Sequence, residues 1–227
     1  MWMIVYVAVF VVGGVSALAR GHHDAHGVAN PTHLALAGFL VVNVMICMWE
    51  IALLVHVKRI KRRSRALLRR LPTGSLGALC LFEHMPLRDA LSLEGWSEIW
   101  VAYSLCDTSY ADANSFGWSI DTGNGISAVL PSALWCVCMT NHTLLSPKIL
   151  GIIGIAHFWQ MAYGTILYFF QYCYHKRWEK HGNSWGQILA LVVASNVTWI
   201  LFPALGMWAS SKLILAESDA EAWKIFL

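Results

Sequence analysis

Charge is scarce in this chain: Asp, Glu, Lys and Arg make up 13% of its 227 residues, against about a quarter in ordinary soluble domains. That scarcity excludes a polar shell able to hold a chain that is 57% hydrophobic in water. The six cysteines lack the paired spacing and turn residues of a zinc site or a disulfide framework. Cys136 and Cys138 stand two apart, which on a helix turns them to different faces, so most cysteines are read as small buried hydrophobes. There is no internal repeat, no low-complexity tract, and no stacking or phosphate-binding motif. The net charge of +3 comes mostly from two short basic runs, so no nucleic-acid partner is expected.

What the chain has instead is long uncharged stretches. A spanning helix needs about 20 apolar residues, because backbone groups in hydrocarbon must satisfy one another. Segments 3–19, 33–57, 117–139, 148–174 and 185–213 qualify. The fold class expected is therefore all-α: a polytopic transmembrane bundle of about five helices. Ala17 and Ala19 before Arg20 give the first segment a signal-like ending, yet no basic residue precedes its apolar run, so it is read as a transmembrane helix. Residues 1–32 form that helix and a loop; 33–227 form the main membrane domain, with a long loop at 58–116.

The run KRIKRRSRALLRR at 58–70 reads as an anchor at the membrane surface, and HKRWEK at 175–180 falls on the same side by helix counting. Together they predict a cytoplasmic N-terminus, with 21–31, Asn141 and the C-terminal tail opposite. Residues 71–112 carry Glu83, Asp89, Glu94 and Glu98 and are expected to form short or interfacial helices; 76–82 is too short to span. His22, His23, Asp24 and His26 look superficially like metal ligands. They are read as a solvated surface loop without a second anchored ligand pair, and no metal site is expected.

Polar residues inside spans are expensive and mark the places to look for function. Asp121, Asn124 and Gly125 in SIDTGNG share one helical face. A carboxyl there serves as a proton carrier, as a partner for a cationic ligand, or as a helix-helix hydrogen-bond node. Asn43 and Glu50 lie two turns apart on the second segment, and a second acid matters because moving a proton along a substrate needs donor and acceptor. Asn196 and Trp199 sit at i and i+3 on the last segment, pairing an amide with an indole face that suits a cation. His157, Gln160, Tyr163, Gly164 and Tyr168 add polar atoms to the fourth segment.

The order Trp100, Tyr103, Asp107, Tyr110, Phe116, Asp121-Thr122 resembles the emopamil-binding protein (EXPERA) family of membrane proteins. The resemblance continues through Pro131, YGTILYFF at 163–170, Asn196-x-x-Trp199 and Pro203, covering roughly residues 95–213. It implies a five-helix bundle around a sterol-sized cavity, and sterol Δ8–Δ7 isomerisation without metal or redox cofactor. Asp121 then takes the place of the family's third-helix glutamate, with Glu50 as the second acid and Asn196 in hydrogen-bonding support; these three are the expected catalytic set. Trp199, Asn124, Tyr163, Tyr103 and Asp107 are the expected substrate-facing set. Two departures stand out: Asp121 is one methylene shorter than the family's Glu, and Ile46 stands where a His is expected. The long 58–116 connection and the charge-derived orientation also differ from the usual family pattern. The partners expected are a sterol or other hydrophobic polycyclic lipid and the surrounding membrane lipids, with a homodimer left open. The compartment implied is the endoplasmic reticulum in a eukaryote or the inner membrane in a bacterium, and a lipid-binding protein without chemistry is the alternative reading.

Overall fold

The computed structural model describes residues 2–70, 85–179 and 185–227, and every regular element among them is helical. The chain is an all-α membrane bundle: α1 (Trp2–His26), α2 (Pro31–Val55), α9 (Pro147–Tyr174) and the Ile188–Leu215 span are long and apolar enough to cross a bilayer. Two further helices, α7 (Phe116–Ser127) and α8 (Val129–Thr140), reach that length and hydropathy only when taken together across a bend, and make a fifth crossing if the pair is one span. The shorter elements are α3 (Val57–Leu68), α4 (Leu87–Ala90), α5 (Leu93–Cys106), α6 (Ser109–Asp112), α10 (Trp185–Gln187), α11 (Ser195–Leu215, after a π-helical turn at Ile188–Ala194) and α12 (Asp219–Ala222).

Three expectations need correction. First, α1 does not end near Ala19 but runs through His26, because nothing breaks it until Gly27 takes a left-handed φ of 72° and returns its N–H to the His23 carbonyl. His22, His23, Asp24 and His26 are thus helical and not a loop. Second, the 117–139 segment is not one continuous helix but two, α7 and α8. Pro131 has no N–H to offer the Ser127 carbonyl, and the helix parts at Ala128, between those two residues. Third, 58–116 is not a long loop among its described residues: it holds α3, α4, α5 and α6, and α5 is an integral core helix with Trp96, Trp100, Val101 and Leu105 buried. Segment 76–82 lies outside the described residues.

The chain divides into two compact units. The first comprises Met1–Val7, Cys47–Ile126 and Gly164–Thr198. Its core gathers Leu53, Ile60, Trp100, Tyr110, Tyr168 and Val192. The basic run turns inward more than a lipid anchor would: Arg59 pairs with Glu94 and Glu98, Arg63 with Glu98, and Lys61 and Arg65 with Asp112. α3 is therefore fastened along α5 and α6, while Lys58, Arg62, Arg69 and Arg70 stay exposed.

The second unit comprises Ala8–Ile46, Ser127–Tyr163 and Trp199–Leu227, with Trp135, Phe158, Leu36, Leu40 and Met139 fully buried. Within it α9 and α11 approach through small residues, since a Cβ on Gly151 would lie 2.8 Å from the Ser210 carbonyl and one on Gly206 2.5 Å from the Phe158 ring. Close backbone approach through small residues is how helices gain packing energy in lipid, where no hydrophobic drive between them exists.

Candidate functional site

Glu50 on α2 and Asp121 on α7 fall in the same unit and interact electrostatically. Gly125, one turn after Asp121, makes the approach close: a Cβ there would sit 2.8 Å from the Glu50 Cβ and 3.0 Å from the Ile51 backbone nitrogen. Glu50 is buried, its carboxyl takes the Cys47 thiol hydrogen, and Oε2 is buried with no hydrogen-bond partner. Such an oxygen is costly to bury and is one of the few groups in the unit with unspent acceptor capacity.

Aromatic residues surround the pair. The Tyr110 hydroxyl hydrogen-bonds the Asp121 carboxyl, and the Tyr110 ring stacks on Trp100 with centroids 5.4 Å apart. The Trp100 indole donates to the Trp49 carbonyl at 2.6 Å, which ties α5 to α2 beside Glu50. Tyr103 meets the Tyr110 ring edge-on at 5.0 Å, and its hydroxyl shares a 2.7 Å hydrogen bond with the Tyr168 hydroxyl. The Asn196 amide nitrogen donates to that same Tyr103 oxygen at 3.3 Å and to the Val192 carbonyl at 2.8 Å, at the point where the π-helical turn passes into α11. Single π-turns of this kind recur at functional sites, because they re-aim one side chain without ending the helix. Burial holds the hydroxyls of Tyr103 and Tyr110 above the ordinary phenol range, so both act as neutral hydrogen-bonding groups.

Of the expected residues, Asp121, Glu50, Asn196 and Tyr103 share this unit, and Asn124 sits half-buried on α7 one turn beyond Asp121. Asp107 is at variance with its substrate-facing reading. It caps α5, accepts from the Ser109 backbone nitrogen (3.1 Å) and hydroxyl (2.6 Å), and forms a buried ion pair with Arg177 at 2.9 Å; the Arg177 guanidinium also donates to the Ser109 hydroxyl. A buried carboxylate has to be paired, and this one is spent on its partners. The Asp107–Arg177 pair lines a polar cavity of about 280 Å³ together with Asp112, Gln171 and His175.

Tyr163 is also at variance: it is exposed and stacked on Trp159 at 5.7 Å, in the second unit. The inward-facing residue is its neighbour Gly164, whose Cβ would meet Ile120 at 2.9 Å, and the tyrosine that reaches Tyr103 is Tyr168. Trp199 belongs to the second unit as well, and its indole donates not to Asn196 but to Asn43 Oδ1 at 3.0 Å. Asn43 donates on to Ser132 at 3.0 Å, and Ser132 meets His157 Nε2 at 2.9 Å, completing a polar string through that unit. Ser132 carries no signal in the sequence that separates it from any other helical serine. Tyr110 and Trp100 were visible only as members of the 3- and 7-residue spacing with Tyr103, not as contacts of Asp121.

Comparison of the chain with protein-family models, with curated proteins and with solved structures finds no match, so the functional reading rests on these residues and their geometry.

Proposed function

We propose that this protein is a membrane isomerase that shifts a carbon–carbon double bond in a sterol or related polycyclic isoprenoid, as its resemblance to the emopamil-binding protein family implies. The observation that carries the reading is that Gly125 brings α7 against Glu50, with Asp121 one turn away, in a unit whose apolar cluster includes Trp100, Tyr103, Tyr110 and Tyr168. Two carboxyl groups in one apolar setting hold a proton between them more readily than they carry two charges. One acid then delivers a proton to an alkene carbon, leaving a tertiary carbocation on its neighbour. The other carboxylate removes a proton from the adjacent carbon, and that C–H electron pair becomes the new double bond. One proton enters and one leaves, so neither metal nor redox cofactor is required by the chemistry. Aromatic faces on Trp100 and Tyr110 stabilise the passing cation, and Asn196 fixes the Tyr103 hydroxyl that orients the ring system.

The reading is tested by incubating the purified full chain with a Δ8 sterol in deuterated water. The expected product is the Δ7 isomer carrying solvent deuterium at the newly saturated carbon. Absence of conversion across sterols and triterpenes overturns it. A second reading, a lipid-binding protein without chemistry, is favoured by the close packing of Gly125 over the Glu50 stem. Sterol binding that survives Asp121→Asn, with no product from either form, selects it.

A further inference from the structure

In the second unit, apart from the acid pair of the first, four histidines gather at the junction of α1, α2 and the α8–α9 connection. His22 and His26 stand one turn apart on α1, and His142 comes from the connection; one ring nitrogen from each lies within 4.8 Å of the other two. His22 is 1% exposed, and the His33 ring packs on it with centroids 4.0 Å apart. Trp223 lies flat against His142 at 4.3 Å, with the planes 2° from parallel.

The hydrogen bonds fix which nitrogens are free. His22 Nδ1 meets the Val28 carbonyl, His26 Nε2 the Thr140 carbonyl and His142 Nε2 the Met139 carbonyl, each at 3.2 Å. A carbonyl only accepts, so each of these nitrogens carries the ring proton, and the opposite nitrogen of each neutral imidazole presents a lone pair. His22 Nε2 is fully buried and makes no hydrogen bond of ordinary geometry, with the Phe226 backbone also close to the ring. As packing alone, burying an acceptor without a partner is costly. Imidazoles whose far nitrogen is held by a backbone carbonyl are the arrangement that orients histidines toward a metal.

We propose that His22, His26 and His142 form a binding site for a divalent first-row transition ion, with Zn²⁺ the reference species. Three neutral nitrogen donors without a thiolate match the imidazole-preferring ions and leave a further coordination position for water. A tetrahedral ion with bonds of about 2.0–2.1 Å holds such nitrogens about 3.3 Å apart, so ring rotations closing the present spacing by an ångström or so complete the site. The expectation of no metal here rested on reading 21–31 as a loop with no second ligand pair. What completes the set is not a second pair but a third histidine, His142, more than 100 residues away.

The test uses the full chain purified in detergent without a histidine tag, stripped with EDTA and dialysed. Titration with Co²⁺ should give saturable visible bands of a low-coordinate nitrogen site, Zn²⁺ should displace them, and elemental analysis should find one Zn²⁺ per chain. His142→Gln, at a half-buried position, should weaken Zn²⁺ binding at least tenfold, and His22→Gln should do so more strongly. His23→Gln, an exposed neighbour outside the cluster, should bind as the parent does. Thermal unfolding of each variant checks its fold; if His22→Gln does not fold, the parent's Co²⁺ spectrum together with His142→Gln decides. Absence of saturable uptake by the parent, or uptake unchanged in His142→Gln, overturns the site. Sterol turnover is not read in this experiment, so its outcome is independent of the isomerase reading.

Discussion

Asp107 and Asp121 are the same side chain within fifteen positions, and their surroundings assign them different work. Asp107 meets Arg177, the Ser109 hydroxyl and the Ser109 backbone nitrogen, and is left with little capacity for anything else. Asp107→Asn and Arg177→Met should each lower unfolding stability by about 3–5 kcal/mol, as expected when one half of a buried ion pair is removed, measured by thermal or denaturant unfolding in detergent. Asp121 instead takes the Tyr110 hydroxyl and has another acid, Glu50, as its neighbour. Asp121→Asn keeps shape and hydrogen bonding but cannot pass a proton, so turnover should fall by about 10²–10⁴ with stability nearly unchanged. Asp121→Glu should keep measurable turnover, since the resemblance places Glu there. A stability loss with turnover intact would make Asp121 a packing node and move the chemistry to Glu50. The two acids in spans were legible because a charge in an apolar run stands out. Asp107 was not legible, because its partner Arg177 sits 70 residues away inside what reads as a surface charge run.

At the level of elements, hydrophobic runs located α2 and α9 to within about two residues, because span length is set by the bilayer and not by local signals. α5 was underestimated for the opposite reason. Its Glu94 and Glu98 lower the apparent hydropathy, yet both are neutralised by arginines of α3, which no local window can see. α7 teaches the same lesson through glycine: SIDTGNG looks polar and flexible, whereas Gly125 lets α7 lie against the α2 backbone at Cys47 and Ile51. Gly125→Leu should push the two helices apart, costing about 1–3 kcal/mol of stability and separating Asp121 from Glu50. The readouts are unfolding temperature and, under the isomerase reading, turnover falling further than in a surface control such as Arg62→Ala.

For the whole molecule, the open choice is between four crossings and five, which turns on whether α7 and α8 together traverse the bilayer or return to the side they came from. Contacts within the second unit favour five. The α1–α2 connection meets both the α8–α9 connection and the C-terminus: His26 bonds the Thr140 carbonyl, His142 stacks on Trp223, and Asn30 donates to the Leu227 carbonyl. These three segments meet one another, as helix counting through five crossings requires; a returning α7–α8 pair would put His142 and the C-terminus on the side away from the α1–α2 connection. Within the first unit, Arg177 pairs with Asp107, and Asp112, bound to Lys61 and Arg65, lines the same cavity as His175, so the two basic runs meet around one polar pocket. Among the described cysteines only Cys173 is exposed. With Cys173 and Cys80 replaced by serine, Leu144→Cys should react with a membrane-impermeant maleimide from one face of sealed vesicles. Arg62→Cys should react only after the vesicles are opened, or the reverse in inverted vesicles. Labelling of both from the same face would remove the fifth crossing, and with it the bundle in which Asp121 is carried into the membrane.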